Sequence, residues 1–107
     1  PLVFKVLSNL LDNSLRHGEN LTSVRIWTEE GQGGELLLVF EDDGVGISDE
    51  EKETIFLHGY GKHTGLGLAI SRDILSLTGI TITETGKLGE GARFEIHIPR
   101  DAWRFLV

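Results

Sequence analysis

Residues 42–70 read DDGVGISDEEKETIFLHGYGKHTGLGLAI, two glycine-rich runs on either side of an acidic stretch. The first run, Asp42-Asp43-Gly44-Val45-Gly46-Ile47, follows the apolar residues 36–40. A carboxylate therefore stands where a strand leaves its sheet, and the glycines let the backbone bend around a ligand. Buried there, Asp42 can accept from an amino group; the plain alternative is an acidic turn with no ligand. The run lacks the oxygen-ligand spacing of an EF-hand loop. The second run, Gly59-Tyr60-Gly61-Lys62-His63-Thr64-Gly65-Leu66-Gly67-Leu68, puts glycines just before and inside the first turn of a predicted helix. Unpaired N–H groups and the helix dipole attract phosphate at such a point, and Lys62 adds a positive charge. No G-x-x-x-x-G-K-[ST] run is present and no strand directly feeds the segment, which excludes a Walker loop and a dinucleotide fingerprint. The alternative is a linker ending in a helix cap. Glycine inside a helix costs roughly 1 kcal/mol against alanine, so its persistence there calls for a reason.

Outward from this segment the periodicity changes. Residues 22–30 and 35–42 are rich in β-branched and apolar types and flank Gly31-Gln32-Gly33-Gly34, which predicts an antiparallel hairpin. Ser48 with Glu51 three positions later fits a capping box and predicts a short helix over residues 49–56. Thr64 is suited to cap the next helix, in which Leu68, Ile70, Ile74, Leu75 and Leu77 are the apolar positions and Gly79 the stop. Residues 80–85 and 92–98 alternate as strands, joined by the glycine-rich turn at 86–91 and closed by Pro99. Ahead of all this, Val3, Val6, Leu7, Leu10, Leu11, Ser14 and Leu15 recur at three- and four-residue steps, an amphipathic helix ended by Gly18.

The predicted order is helix, two strands, short helix, loop, helix, two strands. That order predicts an α+β domain, a two-layer α/β sandwich with a mainly antiparallel sheet and its helices on one face. The tail, with Ala102, Trp103 and Phe105, is expected to pack back on the core. No internal repeat is visible.

On the first helix Lys5, Asn9, Asp12, Asn13 and Arg16 lie at steps of three and four and form one polar face. Asparagine is mildly unfavourable inside a helix, and its amide oxygen is a neutral ligand that a hydrated magnesium ion accepts alongside phosphate oxygens. Asn9 and Asn13 suit such a site; the alternative is a solvated face with two incidental amides.

Composition narrows the classes. A chain of 107 residues, 39% hydrophobic, has room for one domain, expected to span residues 1–107. The formal charge of -7, from 17 acidic and 10 basic residues, argues against nucleic acid or an anionic membrane surface as a partner. With no cysteine, disulfide and thiolate chemistry are excluded and an intracellular setting is allowed; the expectation is a cytoplasmic domain whose parent protein is either soluble or membrane-anchored. The four histidines show no metal-ligand spacing such as H-E-x-x-H. No apolar run reaches the length of a membrane span. The chain passes from Pro1 straight into a helical pattern, and the expectation is a piece of something larger.

Taken in order, NLLDNSLRHG, DDGVGI and GKHTGLGLAIS resemble the N, G1 and G2 boxes of histidine-kinase ATP-binding domains. GARFEIHIP is similar to the strand that closes that fold, and Ile55-Phe56 to the start of the family's F box. The resemblance spans nearly the whole chain. It implies the Bergerat fold shared with gyrase, mismatch-repair and heat-shock-chaperone ATPases, with ATP and Mg2+ as ligands.

Carried over by residue, Asn13 would ligate magnesium, Asp42 would receive the adenine amino group, and Gly44 and Gly46, with Ile47 beside them, would make room next to the base. Gly65 and Gly67 would let backbone amides approach phosphate, within a binding segment running through Tyr60, Gly61, Lys62, His63, Thr64, Leu66 and Leu68. Arg16 stands where the family often has a phosphate-reaching lysine, His17 where it has an aromatic residue near adenine, and Lys62 would touch the γ-phosphate from the lid. Asn9 occupies the position of a water-activating glutamate in the hydrolysing relatives. An amide is a poor base, so a histidine on a separate dimerisation domain is the implied acceptor, with a response regulator downstream and weak ATPase activity in the isolated domain. His63 replaces a frequent glycine, and Asp43 a frequent asparagine, which adds negative charge near a nucleotide. The alternatives are a non-transferring ATP-binding module, an anti-sigma-type serine kinase and an ATP-hydrolysing dimerisation module, the last disfavoured by Asn9.

Overall fold

Helix α1 (Leu2–His17) begins the structure, a computed structural model that describes residues 2–57, 67–102 and 104. Val6 and Leu10 are buried to 1% and 0% exposure, and Ser14 continues their row at 1%. The buried stripe is narrower than the sequence pattern implies. Leu11 and Leu15, one residue beyond Leu10 and Ser14, are rotated about 100° from them and stay 43% and 68% exposed. Arg16 and His17 sit in the last turn, where positive charge complements the dipole, and the Gly18 N–H closes the helix on the Ser14 carbonyl at 2.8 Å.

Strands β1 (Val24–Glu30) and β2 (Leu36–Asp42) form the expected hairpin, with Trp27 opposite Val39. Gly33 and Gly34 supply φ values of 65° and 82° in the connecting turn. Strands β3 (Thr81–Glu84) and β4 (Arg93–Ile98) form the second hairpin. The sheet order is β1-β2-β4-β3 and every neighbouring pair is antiparallel. Alternation along β4 buries Phe94, Ile96 and Ile98 on the helical side while Arg93, Glu95 and His97 stay half-buried on the other. Phe94 meets Phe40 and Phe56 edge-on, at centroid distances of 6.4 and 6.3 Å. Burying each such side chain contributes roughly 2–3 kcal/mol.

Helix α2 (Gly67–Ser76) packs Leu68 and Leu75 into the same core as α1 and the sheet. Ile70, Ile74 and Leu77 remain 41%, 38% and 85% exposed, because Leu68, Ala69, Ser71 and Leu75 take the inward side. Gly79, with φ 77°, follows the helix as expected. The short helix expected over residues 49–56 is instead two 3-10 turns, Asp49–Glu51 and Thr54–Phe56. The Ser48 hydroxyl donates to the Glu51 carboxylate at 3.0 Å and does not cap a backbone N–H group. Ile55 and Phe56 reach the core nonetheless. Ala102 is buried, whereas Trp103 and Phe105 lie outside the described residues. Among the described residues, no helix is long and apolar enough to cross a membrane.

The product is a two-layer α+β domain with a four-stranded antiparallel sheet, as the element order predicts. Its ends bring α1, the end of β2 and the start of β4 together.

Candidate functional site

Asp42, the last residue of β2, is 5% exposed and accepts three hydrogen bonds. Its Oδ1 accepts from the backbone N–H groups of Gly44 at 3.0 Å and Ala92 at 2.9 Å. Its Oδ2 accepts from the Ser14 hydroxyl at 2.6 Å. A carboxylate leaving a sheet is thus tied to its own turn, to the start of β4 and to the middle of α1. Such a group has a fixed direction, which is what recognition of a single amino group requires.

Three close backbone approaches build the cage. A Cβ on Gly44 would lie 2.3 Å from the Gly18 carbonyl oxygen, and the next residue, Val45, donates its N–H to that same oxygen at 2.7 Å. A Cβ on Gly91 would lie 2.0 Å from the Asp42 carbonyl oxygen, at φ 115°. Gly46, with φ 79°, would bring a Cβ within 2.7 Å of the Lys87 carbonyl. Gly44 and Gly46 are therefore required by protein backbone at their own positions, whatever else occupies the cleft.

Asn13, Ser14 and His17 from α1 line one small cleft with Asp42, Gly46, Ile47 and Ala92. The cleft thus unites Asn13 of the amide face with Asp42, Gly46 and Ile47 of the first glycine run, and with His17. Asn9 lies one turn earlier and does something different. Its Nδ2 donates to the Gly67 carbonyl at 3.1 Å and to the Ser71 hydroxyl at 2.7 Å, fastening α1 to the first turn of α2. Arg16 pairs with Asp12 at 2.8 Å on the exposed side of the helix, an i,i+4 pair worth little and easily exchanged for another anion.

Asp43, next to Asp42, accepts from four donors. The Thr22 and Ser23 N–H groups reach Oδ1 at 2.8 and 3.0 Å, while both hydroxyls reach Oδ2, Ser23 at 3.2 Å. The Thr22 hydroxyl, followed by the two N–H groups, holds this carboxyl well below the usual carboxylate range. Its charge is absorbed by the chain entering β1.

Of the second glycine-rich run, Gly67 opens α2 and Leu68 is a core residue, 9% exposed. Tyr60, Gly61, Lys62, His63, Thr64, Gly65 and Leu66 lie outside the described residues. Four residues that matter here were not singled out from sequence as site residues: Ser14, Gly18, Gly91 and Ala92. Ser14 had a signal, since a hydroxyl in an apolar helical row must find a partner when buried. Gly18 had only the signal of a helix stop, a Cβ there lying 2.5 Å from the Ser14 carbonyl oxygen, and Gly91 had none, because it is required by Asp42, a residue distant in sequence.

Among the described residues no cluster of three or more His, Asp or Glu side chains is arranged to hold a metal ion. Asn13, on the cleft wall, offers a neutral amide oxygen of the type that a hydrated magnesium ion accepts beside phosphate oxygens.

A fixed carboxylate and a neutral amide thus line one cleft of a two-layer α+β frame. The chain belongs to the histidine kinase-, DNA gyrase B- and HSP90-like ATPase family, whose model matches residues 1–102. It is 35% identical over 106 residues to the sensor histidine kinase GtrS of Pseudomonas aeruginosa, covering 94% of this chain and 22% of that protein. It is 32% identical over 105 residues to the sensor protein SrrB of Staphylococcus aureus, covering 90% of this chain and 18% of that one. The chain thus spans about one fifth of the length of these relatives. Among solved structures, full-length ShkA in complex with AMPPNP superimposes with a TM-score of 0.80 at 27% identity, over 89% of this chain and 20% of that one. The catalytic domain of histidine kinase ThkA superimposes with a TM-score of 0.75 at 29% identity, over 92% of this chain and 66% of that domain chain.

Proposed function

We propose that this domain binds Mg-ATP in the Asp42 cleft and donates the γ-phosphoryl group to a histidine on a dimerisation domain of the same protein, which then serves a response regulator. The observation that carries the reading is the state of Asp42. A carboxylate offers about four acceptor sites. Three are taken by Ser14, Gly44 and Ala92, and the one left on Oδ2 suits the exocyclic amino group of adenine. Asn13 stands on the same cleft, on the α1 side, where it would hold magnesium. When bound, the cation neutralises charge on the phosphate oxygens.

The chain's own residues favour transfer over hydrolysis. Asn9 has its amide nitrogen committed to Gly67 and Ser71, which leaves a carbonyl oxygen that is no base for activating water. The work of the domain is then to orient: Asp42 fixes the base, α1 presents its amides, and Asn9 anchors the turn from which Gly67 starts α2. Arg16, Lys62 and the glycines before Gly67 are assigned to the phosphates, and His17 to the edge of the base.

The test is labelled ATP supplied to this domain together with the histidine-bearing helices of its own protein. Label on histidine, labile to acid and stable to base, is the expected result. ATP bound without transfer would instead support a regulatory nucleotide module, and acid-stable label a serine kinase.

A further inference from the structure

A largely buried ion pair joins β3 to the segment that follows the glycine loop. Glu84 ends β3 with its side chain 0% exposed, and Lys52, just after the Asp49–Glu51 turn, reaches it with a side chain 22% exposed. Lys52 Nζ donates to a Glu84 oxygen, to the Gly86 carbonyl at 2.8 Å and to the Ile47 carbonyl at 3.2 Å, so each ammonium hydrogen has an acceptor. The other Glu84 oxygen accepts from the N–H groups of Gly86 at 3.1 Å and Arg93 at 2.9 Å. The turn that begins at Gly86 also meets the glycine loop directly. The Gly89 N–H donates to the Val45 carbonyl at 2.6 Å, and the Lys87 carbonyl blocks any side chain at Gly46.

Buried ion pairs are weak stabilisers, because desolvation offsets most of the attraction. This one differs from a mere staple in what it holds: four main-chain groups on three segments, one of them Ile47, whose residue lines the cleft with Asp42 and Asn13. We propose that Lys52 and Glu84 are positioning residues for the nucleotide cleft, setting the Gly46–Ile47 backbone against the base through the turn at residues 86–91. This rests on the nucleotide reading given above. Local sequence patterns do not announce the pair, since its members are 32 positions apart.

The test compares wild type, Lys52→Met, Glu84→Gln and the double variant, titrated with Mg-ATP and with adenosine, alongside thermal melting without ligand. The single Lys52→Met change strands a buried carboxylate and is the variant most prone to unfold. The double variant removes both charges and carries the test. Its expected behaviour is a cooperative melt with Kd raised roughly tenfold for ATP and adenosine alike, because the disturbed loop lies beside the base. Affinities within about twofold of wild type, whatever the melting temperature, would overturn the proposal. So would a loss confined to ATP, which would put the effect at the phosphates.

A measurement on the unaltered protein makes the result independent of variant folding. Adenosine should slow hydrogen exchange at the Gly86 and Gly89 amides, and unchanged exchange there would also overturn the proposal. Asp42→Asn separates the two readings. If that variant loses adenosine while the double variant keeps wild-type affinity, only the positioning role fails; if wild type binds no adenine nucleotide, the nucleotide reading fails and this proposal with it.

Discussion

The Ser14 hydroxyl donates to Asp42 Oδ2 at 2.6 Å, a buried bond that joins the middle of α1 to the last residue of β2 across 28 positions. It makes the direction of one carboxylate depend on the seating of a whole helix.

Ser14→Ala removes that donor without adding bulk. The Asp42 carboxylate then keeps only two backbone partners in a buried setting, and unfolding free energy should fall by about 1–2 kcal/mol. Denaturant melts measure this, and the same variant should bind adenosine more weakly, since Oδ2 is no longer held in one orientation.

Asn9→Ala cuts both hydrogen bonds from α1 to the first turn of α2. A stability loss of about 1–2 kcal/mol is expected, because two buried or half-buried groups on α2 lose their partner. Exchange of the amides in that turn, followed by mass spectrometry, should quicken. Asn9→Glu would set a carboxylate against the Gly67 carbonyl, so it should loosen this contact as well as offer a base.

Gly91→Ala places a methyl on the Asp42 carbonyl at a φ of 115°, and Gly44→Ala places one on the Gly18 carbonyl. Each should cost on the order of 2–3 kcal/mol, measured as a lowered denaturation midpoint. By contrast Gly33→Ala meets no neighbouring atom within 4 Å and carries only the strain of φ 65°. Its effect should be the smallest of the three.

The depressed Asp43 carboxyl predicts an acid dependence of definite sign. Its folded-state pKa lies below the unfolded one, chiefly through the Thr22 hydroxyl and then the Ser23 and Thr22 N–H groups, against a small opposing effect of burial. Its stabilisation is therefore complete above the unfolded pKa of about 4 and drains away as pH falls toward the lower folded value. Asp43→Asn should flatten part of the stability decline below about pH 4. Parallel curves for variant and wild type would contradict it.

Much of the fold was legible because its signals are local. The alternation Phe94, Ile96, Ile98 is a strand buried on one face, and the glycines at residues 31, 33 and 34 mark its neighbour's hairpin. The departures are also local. Ser48 and Glu51 satisfy a capping-box spacing, yet the two side chains bond to each other and the chain turns as 3-10 helix. Leu11, Leu15, Ile74 and Leu77 keep helical spacing but fall outside the inward arc, which neighbouring elements define. The site shows the same division. Asp42 and Asn13 could be chosen from motif order and do share a cleft. Ser14 fits an apolar stripe, and Lys52 and Glu84 carry no local signal, because their roles exist only when distant segments meet.

The most direct test of the account is a calorimetric titration of this domain and its Asp42→Asn variant with Mg-ATP and Mg-GTP. Guanine presents a carbonyl where adenine presents its amino group, so a carboxylate with one free acceptor site must tell them apart. The account predicts that wild type binds ATP at least about a hundredfold more tightly than GTP, and that Asp42→Asn loses most of its ATP affinity. Equal affinity for the two nucleotides, or an unchanged ATP affinity in the variant, would contradict it.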